Sequence, residues 1–366
     1  MNKPRVPYLD LRLTDLSKRQ ELMDAIENVL SHGRIILGPE VKHFEKKIAT
    51  ACGRESAIGV GSGTDALILS LKALGLVAGD EIITTPACYV ATANAISLVG
   101  ATAVFADIND DMNISVHTIE PLITNRTRAV LAVDLTGQMS DLDKIEKICN
   151  DHSLFLIEDF SQAFAAKLGS RPAGSYGVVA CLSLNPMKTL AASGEAGIIV
   201  TDQLTLAEKI SALRHNGLID GESCIMPSHN ARLDTIQAAI LLCRLRWFPE
   251  IVERRTEIAH YYNEQLKDVL KTPAPGRGKT HTWYSYQIRT EKRNGLKSFL
   301  EKNGIEVKVH YLNLLPEHPA HSHRVRGAFP NAQRINRQTL SLPCHENMSD
   351  IDVEYVAKTV LSYLVS

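Results

Sequence analysis

The chain has 366 residues, long enough for two domains, and its 45% hydrophobic and 22% charged content is that of an ordinary globular protein. Forty basic and 41 acidic residues leave a formal net charge of −1, so bulk charge predicts neither a nucleic acid nor an anionic membrane as partner. Any anionic ligand must therefore be bound by local groups.

The seven cysteines are widely spaced, odd in number and without a CxxC pair. This usage argues against a disulfide framework or a structural metal site and indicates reduced thiols. The first residues lack a long apolar core, and no apolar run approaches the roughly 18 residues of a membrane span. We therefore expect a cytoplasmic protein with no metal site and no membrane segment.

Between residues 56 and 200, short apolar runs alternate with segments of helical periodicity, which is typical of an α/β domain with a mainly parallel sheet. Strands are predicted at 56–60, 81–85, 103–107, 129–135, 154–158, 178–184 and 197–201. Helices are predicted at 64–74, where leucines recur on one face, and at 141–151, which opens with acidic residues.

The second half of the chain changes pattern after a predicted helix at 204–214. Glycine, serine and proline residues predict a surface loop at 216–230, and an apolar helix follows at 232–245, with a charged extension to 267. Prolines and glycines interrupt the pattern at 271–279. A strand, a helix and a strand are then predicted at 283–289, 295–302 and 306–310. We therefore divide the chain into a large α/β domain, 1–250, with an N-terminal helical segment, and a smaller C-terminal α+β domain, 251–366.

A glycine-rich turn, GSGTDA at residues 61–66, follows the first predicted strand and opens a helix. Glycines let the backbone approach an anion, and the free amides at a helix start favour phosphate. The spacing also fits GxGxxA, so a dinucleotide-binding fold stays open, as does a glycine turn with no ligand.

An acid and a lysine each lie near the end of a predicted strand. Asp159 follows an apolar run, at the edge where open α/β sheets place ligands, and Lys188 follows Pro186 in an apolar segment. A lysine can form a Schiff base with an aldehyde cofactor, and a buried carboxylate can keep a pyridine nitrogen protonated. A lone Asp is usually a helix cap or a surface acid, and most lysines are solvated. In order with the glycine turn and Tyr89, whose ring could stack on a planar cofactor, the two residues indicate a pyridoxal phosphate site.

The segments 36–41, 61–67, 89–92, 100–101, 137–138, 157–159, 230–234 and 310–311 together carry a family resemblance. The chain resembles the DegT/DnrJ/EryC1/StrS family of sugar aminotransferases, pyridoxal phosphate enzymes of fold-type I, from end to end. The resemblance implies a large domain with a mainly parallel mixed sheet between helices, a smaller α+β domain, and a homodimer with shared active sites.

The resemblance also implies a role for each cofactor-binding residue. Lys188 would hold the cofactor covalently, and Asp159 would pair with its pyridine nitrogen. Gln162 would lie near its phenolic oxygen, and Tyr89 would stack on its ring. The phosphate would be held by Gly63, Thr64 and Ser183, with Asn230 reaching it from the partner subunit.

The candidates for substrate binding are Arg232, His310 and Tyr311. Arg232 and His310 could bind the donor carboxylate or the nucleotide phosphates, while an ordinary structural role stays equally open for both. The local sequence around the lysine departs from the family. Many members have an aromatic residue before Pro-x-Lys and a Gly-Asp-Gly-Gly turn after it, where this chain has Asn185 and residues 194–197, GEAG. The local substrate contacts are therefore expected to differ.

The reaction implied by the resemblance is transfer of an amino group from L-glutamate to the keto carbon of a nucleotide-activated keto sugar, in amino-deoxysugar biosynthesis, with C3 favoured over C4. Pyridoxamine phosphate would be the intermediate form of the cofactor. Two alternatives stay open: a nicotinamide-dependent oxidoreductase that uses the GxGxxA turn, and a non-catalytic regulatory relative that binds the cofactor or a sugar.

Overall fold

A seven-stranded mixed sheet lies at the centre of the computed structural model, which describes residues 4–322 and 327–365. The strands are β1 (Ser56–Val60), β2 (Glu81–Thr84), β3 (Thr102–Phe105), β4 (Thr127–Val133), β5 (Phe155–Asp159), β6 (Lys167–Leu168), β7 (Arg171–Pro172), β8 (Val179–Ser183), β9 (Gly197–Thr201), β10 (Leu218–Ile219), β11 (Ser223–Cys224), β12 (Tyr286–Arg289) and β13 (Thr339–Leu342). The central order is β1-β9-β8-β5-β4-β2-β3. β9 runs antiparallel to β1 and β8, and the other pairings are parallel. The seven predicted strands between 56 and 201 are confirmed, with small shifts at their ends.

Helices cover both faces of this sheet. They are α1 (Leu16–His32), α2 (Pro39–Cys52), α3 (Gly63–Ala73), α4 (Ala91–Leu98), α5 (Leu142–Asp151), α6 (Leu204–Leu213), α7 (Thr235–Leu266), α8 (Arg293–Lys302), α9 (Pro330–Gln338) and α10 (Asp350–Val365). Successive side chains of a strand point to opposite faces. Leu131 of β4 therefore lies in the core with α3, α4 and α6, while its neighbour Val130 lies in the core with α2, α5 and α7.

A separate core forms in the C-terminal part of the chain. The second half of α7 packs there with α8, α10, β12 and β13, through residues such as Ile258, Leu300 and Val356. Helix α7 begins at Thr235, three residues later than predicted, and continues through Pro249 to Leu266. The predicted extension is therefore confirmed, and the helix runs across the proposed division at 250/251, which stays a prediction.

The predicted strand at 306–310 is wrong. The backbone of Lys308 pairs with Ser341 at an isolated bridge, while Glu306 N donates to Val6 O at 2.9 Å. The hydrogen bonds of this segment are divided between two neighbours, so no ladder forms. The strand that pairs with β12 is β13, which the sequence did not predict. The predicted loop at 216–230 contains the two short strands β10 and β11.

The topology brings several strand ends to one edge of the sheet. β4, β5 and β8 are parallel neighbours, and they end at Val133, Asp159 and Ser183. Helix α3 starts next to the same edge and packs on β8 and β9. Among the described residues, no helix has both the length and the apolar content needed to span a membrane.

Candidate active site

A cavity of about 510 Å³ lies at the carboxyl ends of β4, β5 and β8. It is lined by nine of the eleven candidate site residues: Gly63, Thr64, Tyr89, Asp159, Gln162, Ser183, Lys188, His310 and Tyr311. Residues far apart in the chain, from Gly63 to Tyr311, therefore meet at the edge of the sheet where α/β folds bind ligands.

Asp159, the last residue of β5, is buried against one wall of the cavity. Its Oδ1 accepts a hydrogen bond from Ser161 N at 3.1 Å. Burial raises the pKa of this carboxyl above its ordinary value, although the Ser161 hydrogen bonds and the positive charge of Lys188 oppose the rise. A cationic ligand next to Asp159 would favour the ionised carboxylate, as a protonated pyridine nitrogen does.

Lys188 is held by a tight turn that begins at Asn185. Lys188 N donates to Asn185 O at 2.8 Å, and Met187 N donates to Asn185 Oδ1 at 3.0 Å. The amine lies 4.9 Å from the ring centroid of Tyr284. Among residues 4–322 and 327–365, no carboxylate forms an ion pair with this amine, so it is available to react.

The start of helix α3 forms one corner of the cavity. Ser62 caps the helix, because its Oγ accepts from Asp65 N at 3.0 Å. A Cβ at Gly63 would lie 2.4 Å from Ser183 Cβ, and a Cβ at Gly197 would lie 2.3 Å from Ser62 O. Both positions require glycine for the helix start to pack on the end of β8. The free amides of α3 at this corner suit a phosphate group.

Gln162 connects the sheet edge to the C-terminal part of the chain. Its buried amide accepts from Thr136 N at 3.0 Å and donates to Tyr311 Oη at 3.0 Å, which fixes its orientation. The Tyr89 and Tyr311 ring centroids are 6.2 Å apart. The Tyr89 side chain is 59% exposed, so part of its surface is free to contact a planar ligand.

His310 contacts Ser341, with Nδ1 2.9 Å from Ser341 Oγ. Burial, together with the positive charges of Lys188 and Lys308, lowers the pKa of His310 to about 4. The imidazole is therefore neutral near pH 7, and its interaction with an anionic substrate is a hydrogen bond rather than an ion pair.

Asn230 and Arg232 do not line the cavity of their own chain. Asn230 is exposed, and Arg232 Nη1 is 2.7 Å from His215 Nδ1. The same segment contacts helix α3, since His229 Nε2 lies 2.9 Å from Asp65 Oδ1. The action of Asn230 from a partner subunit stays a prediction.

Sequence reasoning missed Tyr284, whose ring lies next to the lysine amine. The dipeptide at 137–138 is part of the family resemblance, but its contact with the segment around Tyr284 was not apparent from the sequence. Gly137 has φ +123°, and a Cβ there would lie 2.7 Å from Trp283 N. Glycine at 137 therefore lets the segment before β12 approach the sheet edge.

Two residues that the sequence showed only as departures from the family, Asn185 and Glu195, both line the cavity. Asn185 Nδ2 donates to Glu195 Oε1 at 2.6 Å.

These groups fit pyridoxal phosphate. An amine that has no ion pair with any described residue, a buried carboxyl, a tyrosine ring and a helix start packed through glycine line one cavity. The model of the DegT/DnrJ/EryC1/StrS aminotransferase family matches residues 16–361. The chain belongs to this family.

Named relatives and solved structures agree with this assignment along the full chain. The dTDP-3-amino-3,6-dideoxy-alpha-D-galactopyranose transaminase of Aneurinibacillus thermoaerophilus is 37% identical, over 98% of this chain and 99% of the relative. DesV of S. venezuelae, solved in complex with a ketimine intermediate, has a TM-score of 0.96 at 35% identity, with 100% of each chain covered. NtdA of Bacillus subtilis, solved with bound cofactor PMP, has a TM-score of 0.92 at 28% identity, covering 100% of this chain and 86% of that one.

This family member is therefore a pyridoxal phosphate-dependent aminotransferase of fold-type I. The family assignment favours the aminotransferase over the nicotinamide-dependent oxidoreductase that the GxGxxA spacing had left open. In the structure that turn forms the corner of the cavity that also contains Lys188 and Asp159.

Proposed function

We propose that this aminotransferase moves an amino group from L-glutamate to the keto carbon of a nucleotide-activated sugar, at C3 rather than C4, in the biosynthesis of an amino-deoxysugar. The observation that carries the proposal is the placement of the Lys188 amine and the Asp159 carboxyl in one cavity. The Aneurinibacillus relative is named as a 3-amino sugar transaminase, which supports the choice of substrate class and of C3.

The residues on the sheet edge would hold the cofactor by its ends. Bound pyridoxal phosphate supplies a ring that withdraws electrons from the reacting carbon. Asp159 would keep the pyridine nitrogen protonated, because a buried carboxylate stabilises an adjacent cation. Gly63, Thr64 and Ser183 would bind the phosphate, and Tyr89 would cover one face of the ring.

Lys188 would act both as the covalent anchor and as the acid/base group. Once an incoming amine has displaced it, Nζ would move a proton from the reacting carbon of the donor to the C4′ carbon of the cofactor, and in the second half-reaction from C4′ to the sugar carbon. Its turn, held by the two hydrogen bonds to Asn185, keeps the amine within the cavity during both transfers. Among the described residues no carboxylate forms an ion pair with this amine, so no salt bridge has to break before it moves within the cavity.

His310 and Tyr311 would contact the substrates, because both line the cavity. We propose that the enzyme is a homodimer, with Asn230 reaching the phosphate of the partner's cofactor. The exposed position of Asn230 outside its own cavity supports this. Arg232 lies beside it and would bind a substrate carboxylate or phosphate from the same direction. We also propose a cytoplasmic location, which the seven free cysteines support.

Separate half-reactions test this function. L-Glutamate is added to the cofactor-loaded enzyme without any sugar, and 2-oxoglutarate is measured, with Lys188→Ala as the inactive reference. Production of about one equivalent per active site is expected for ping-pong chemistry. If no 2-oxoglutarate forms, the protein is either a non-catalytic relative or an enzyme with a different donor, and a panel of amino acids separates the two.

The pyridoxamine-loaded enzyme is then tested with a panel of nucleotide-linked 3-keto and 4-keto sugars. Consumption of a 3-keto sugar, with the new C–N bond placed by NMR of the product, is the expected result. A product aminated at C4 would overturn the choice of carbon and leave the aminotransferase assignment intact.

A further inference from the structure

A second cavity, of about 320 Å³, adjoins the active site at the lysine turn. Its walls are the N-terminal segment 9–15, one face of helix α7 between 244 and 255, and the pair Glu346 and Asn347. We call it the α7 groove. Lys188 lines both this groove and the active-site cavity. A small pocket shares Leu9 with the groove and Met187 and His310 with the active-site cavity, so the two spaces are close neighbours.

The charges on the walls of the α7 groove do not balance. Among the described residues, the lining includes six cationic side chains, Arg12, Lys18, Lys188, Arg244, Arg254 and Arg255, and four acidic ones, Asp10, Asp15, Glu250 and Glu346. The excess is two positive charges. Because the chain as a whole is nearly neutral, this excess is a local property of the groove.

Every acidic side chain of the groove already has a partner. Asp10 pairs with Arg12, and Glu250 pairs with Lys18 at 2.6 Å. Glu346 Oε2 is 2.9 Å from Arg255 Nη2. Asp15 caps helix α1 by accepting from the backbone amides of residues 17 and 18.

Only some of the cationic side chains of the groove are paired with these acids. Arg254 is paired outside the groove, with Asp350 at 2.6 Å and Glu257 at 2.9 Å. Two cationic side chains of the described lining are left without an ion pair, Lys188 and Arg244. Lys188 has its role in the active site, so Arg244 is the one that the chemistry described above does not explain.

Arg244 is a half-buried guanidinium with an unsatisfied donor. Its Nε is buried and has no hydrogen-bond partner among the described residues. Burial lowers the pKa of this guanidinium, and the nearest opposing charge, Glu346, is already bound by Arg255. A desolvated cation without a partner is costly, and an oxyanion is the ligand that a guanidinium binds best.

The rest of the groove has apolar side chains that can contact the organic part of a small ligand. Leu9, Leu13 and Ile251 line it, together with the ring of Trp247, above which the Lys18 amine lies at 5.6 Å. Asn347 Nδ2 fixes the N-terminal wall by donating to Asp10 O at 2.9 Å and Arg12 O at 3.1 Å. The groove is therefore built from segments held in place by hydrogen bonds.

We propose that the α7 groove is a phosphate-binding subsite in which Arg244 binds a phosphate group and the wall around Trp247 contacts the organic part of the same ligand. The phosphate has two sources. One is the diphosphate of the nucleotide sugar that reacts at Lys188, and this source rests on the proposed function. The other is a separate nucleotide or inorganic phosphate that binds beside the active site.

Calorimetric titration of the cofactor-loaded enzyme with UDP, dTDP and pyrophosphate tests the subsite. Arg244→Gln should weaken binding of at least one probe about tenfold or more, the size expected for losing one charged hydrogen bond. Arg246→Gln is the matched control, because Arg246 lies on the same helix but pairs with Glu21 at its exposed side. Arg244→Lys keeps the charge and should recover part of the affinity, which keeps the test valid if Arg244→Gln folds poorly.

The location of the ligand can be read from tryptophan fluorescence, since the chain has only two tryptophans and Trp283 is buried elsewhere. Binding should change the emission, and Trp247→Phe should remove the change. Equal affinity of the wild-type, Arg244→Gln and Arg246→Gln enzymes for all three probes, including no binding to any of them, would overturn the proposal.

Kinetics separate the two sources of phosphate. If Arg244→Gln raises the KM for the nucleotide sugar but leaves the glutamate half-reaction unchanged, the phosphate belongs to the reacting substrate. If pyrophosphate binding is lost while the KM for the nucleotide sugar is unchanged, a separate phosphate ligand binds there. An increase in the KM for glutamate alone would assign Arg244 to the amino donor and overturn the proposal. Absence of the glutamate half-reaction in the wild-type enzyme would count against the proposed function and not against the subsite.

Discussion

Gly63 and Ser183 are packed so closely that a Cβ on residue 63 would lie 2.4 Å from the Cβ of Ser183. Helix α3 therefore starts directly against the last residue of β8, five residues before Lys188. This contact fixes the distance between the helix amides, which would bind the phosphate, and the lysine turn, which would hold the aldehyde carbon.

Gly63→Ala should disturb that contact and weaken cofactor binding. The backbone of a helix start accepts alanine, so the cost arises from overpacking, about 1–3 kcal/mol. We expect an affinity for pyridoxal phosphate lowered about tenfold or more by equilibrium dialysis. Gly276→Ala is the control, since its Cβ would meet only the flexible Lys279 side chain at 3.0 Å. Unchanged cofactor affinity in Gly63→Ala would place the phosphate elsewhere.

Asp159→Asn should depress catalysis more than folding. The amide is similar in shape but carries no charge to hold a pyridine nitrogen protonated, so the glutamate half-reaction should slow by about 10²–10³-fold. Stopped-flow absorbance measures the rate, and the melting temperature of the same sample checks the fold. A variant with a near-normal half-reaction rate would show that Asp159 does not support the ring nitrogen.

His281 should make the protein less stable in mild acid. Its buried ring stacks on Trp283, with centroids 4.0 Å apart, and burial lowers its pKa from 6.5 to about 3. Between these values the unfolded chain binds a proton that the folded chain does not. Burying His281 in its neutral form therefore costs no stability above pH 6.5. As the pH falls below 6.5, it lowers the free energy of unfolding by about 1.4 kcal/mol per pH unit.

The measurement is the melting temperature between pH 7.5 and 5. The melting temperature of His281→Asn should fall less over this range than that of the wild-type protein. His260→Asn, which changes an exposed histidine, should follow the wild-type profile. Parallel profiles for the wild-type protein and His281→Asn would show that His281 binds a proton equally well in the folded and unfolded chains.

Mixing two inactive variants should restore activity if the active site is shared. Lys188→Ala lacks the anchor of its own site, and Asn230→Ala lacks the residue proposed to act in the partner's site. After subunit exchange, a mixed dimer contains one site with both residues intact, so activity should reappear. Activity that stays at the level of the separate variants, with exchange confirmed by native mass spectrometry, would place Asn230 outside the shared site.

Asp159 and Lys188 could be predicted from the sequence because each lies near the end of a strand, whereas the roles of Gln162 and Ser183 were implied only by the family resemblance. Asp159 follows a run of apolar residues, and the carboxyl ends of parallel strands share one edge of the sheet. Lys188 was placed by the same reasoning. Such residues can be located from local pattern alone.

The parts that could not be predicted depend on contacts distant in sequence. Tyr284 reaches the cavity because Gly137 lets the segment before β12 approach, and no local pattern reports that contact. Strand β13 has only four residues and follows helix α9 without a break, which is too short for period-two alternation to be visible. The α7 groove is formed by residues 9–15, 186–188, 244–255 and 346–347, four segments that only the fold brings together.

The absorbance spectrum of the Lys188→Ala protein tests the central claim most directly. The wild-type enzyme loaded with pyridoxal phosphate should show the visible band of a cofactor aldehyde linked to a lysine amine. Lys188→Ala should still bind the cofactor, through the α3 corner and Asp159, but without that band. A Lys188→Ala protein that keeps the band would show that another lysine anchors the cofactor and would contradict the assignment of this cavity as the active site.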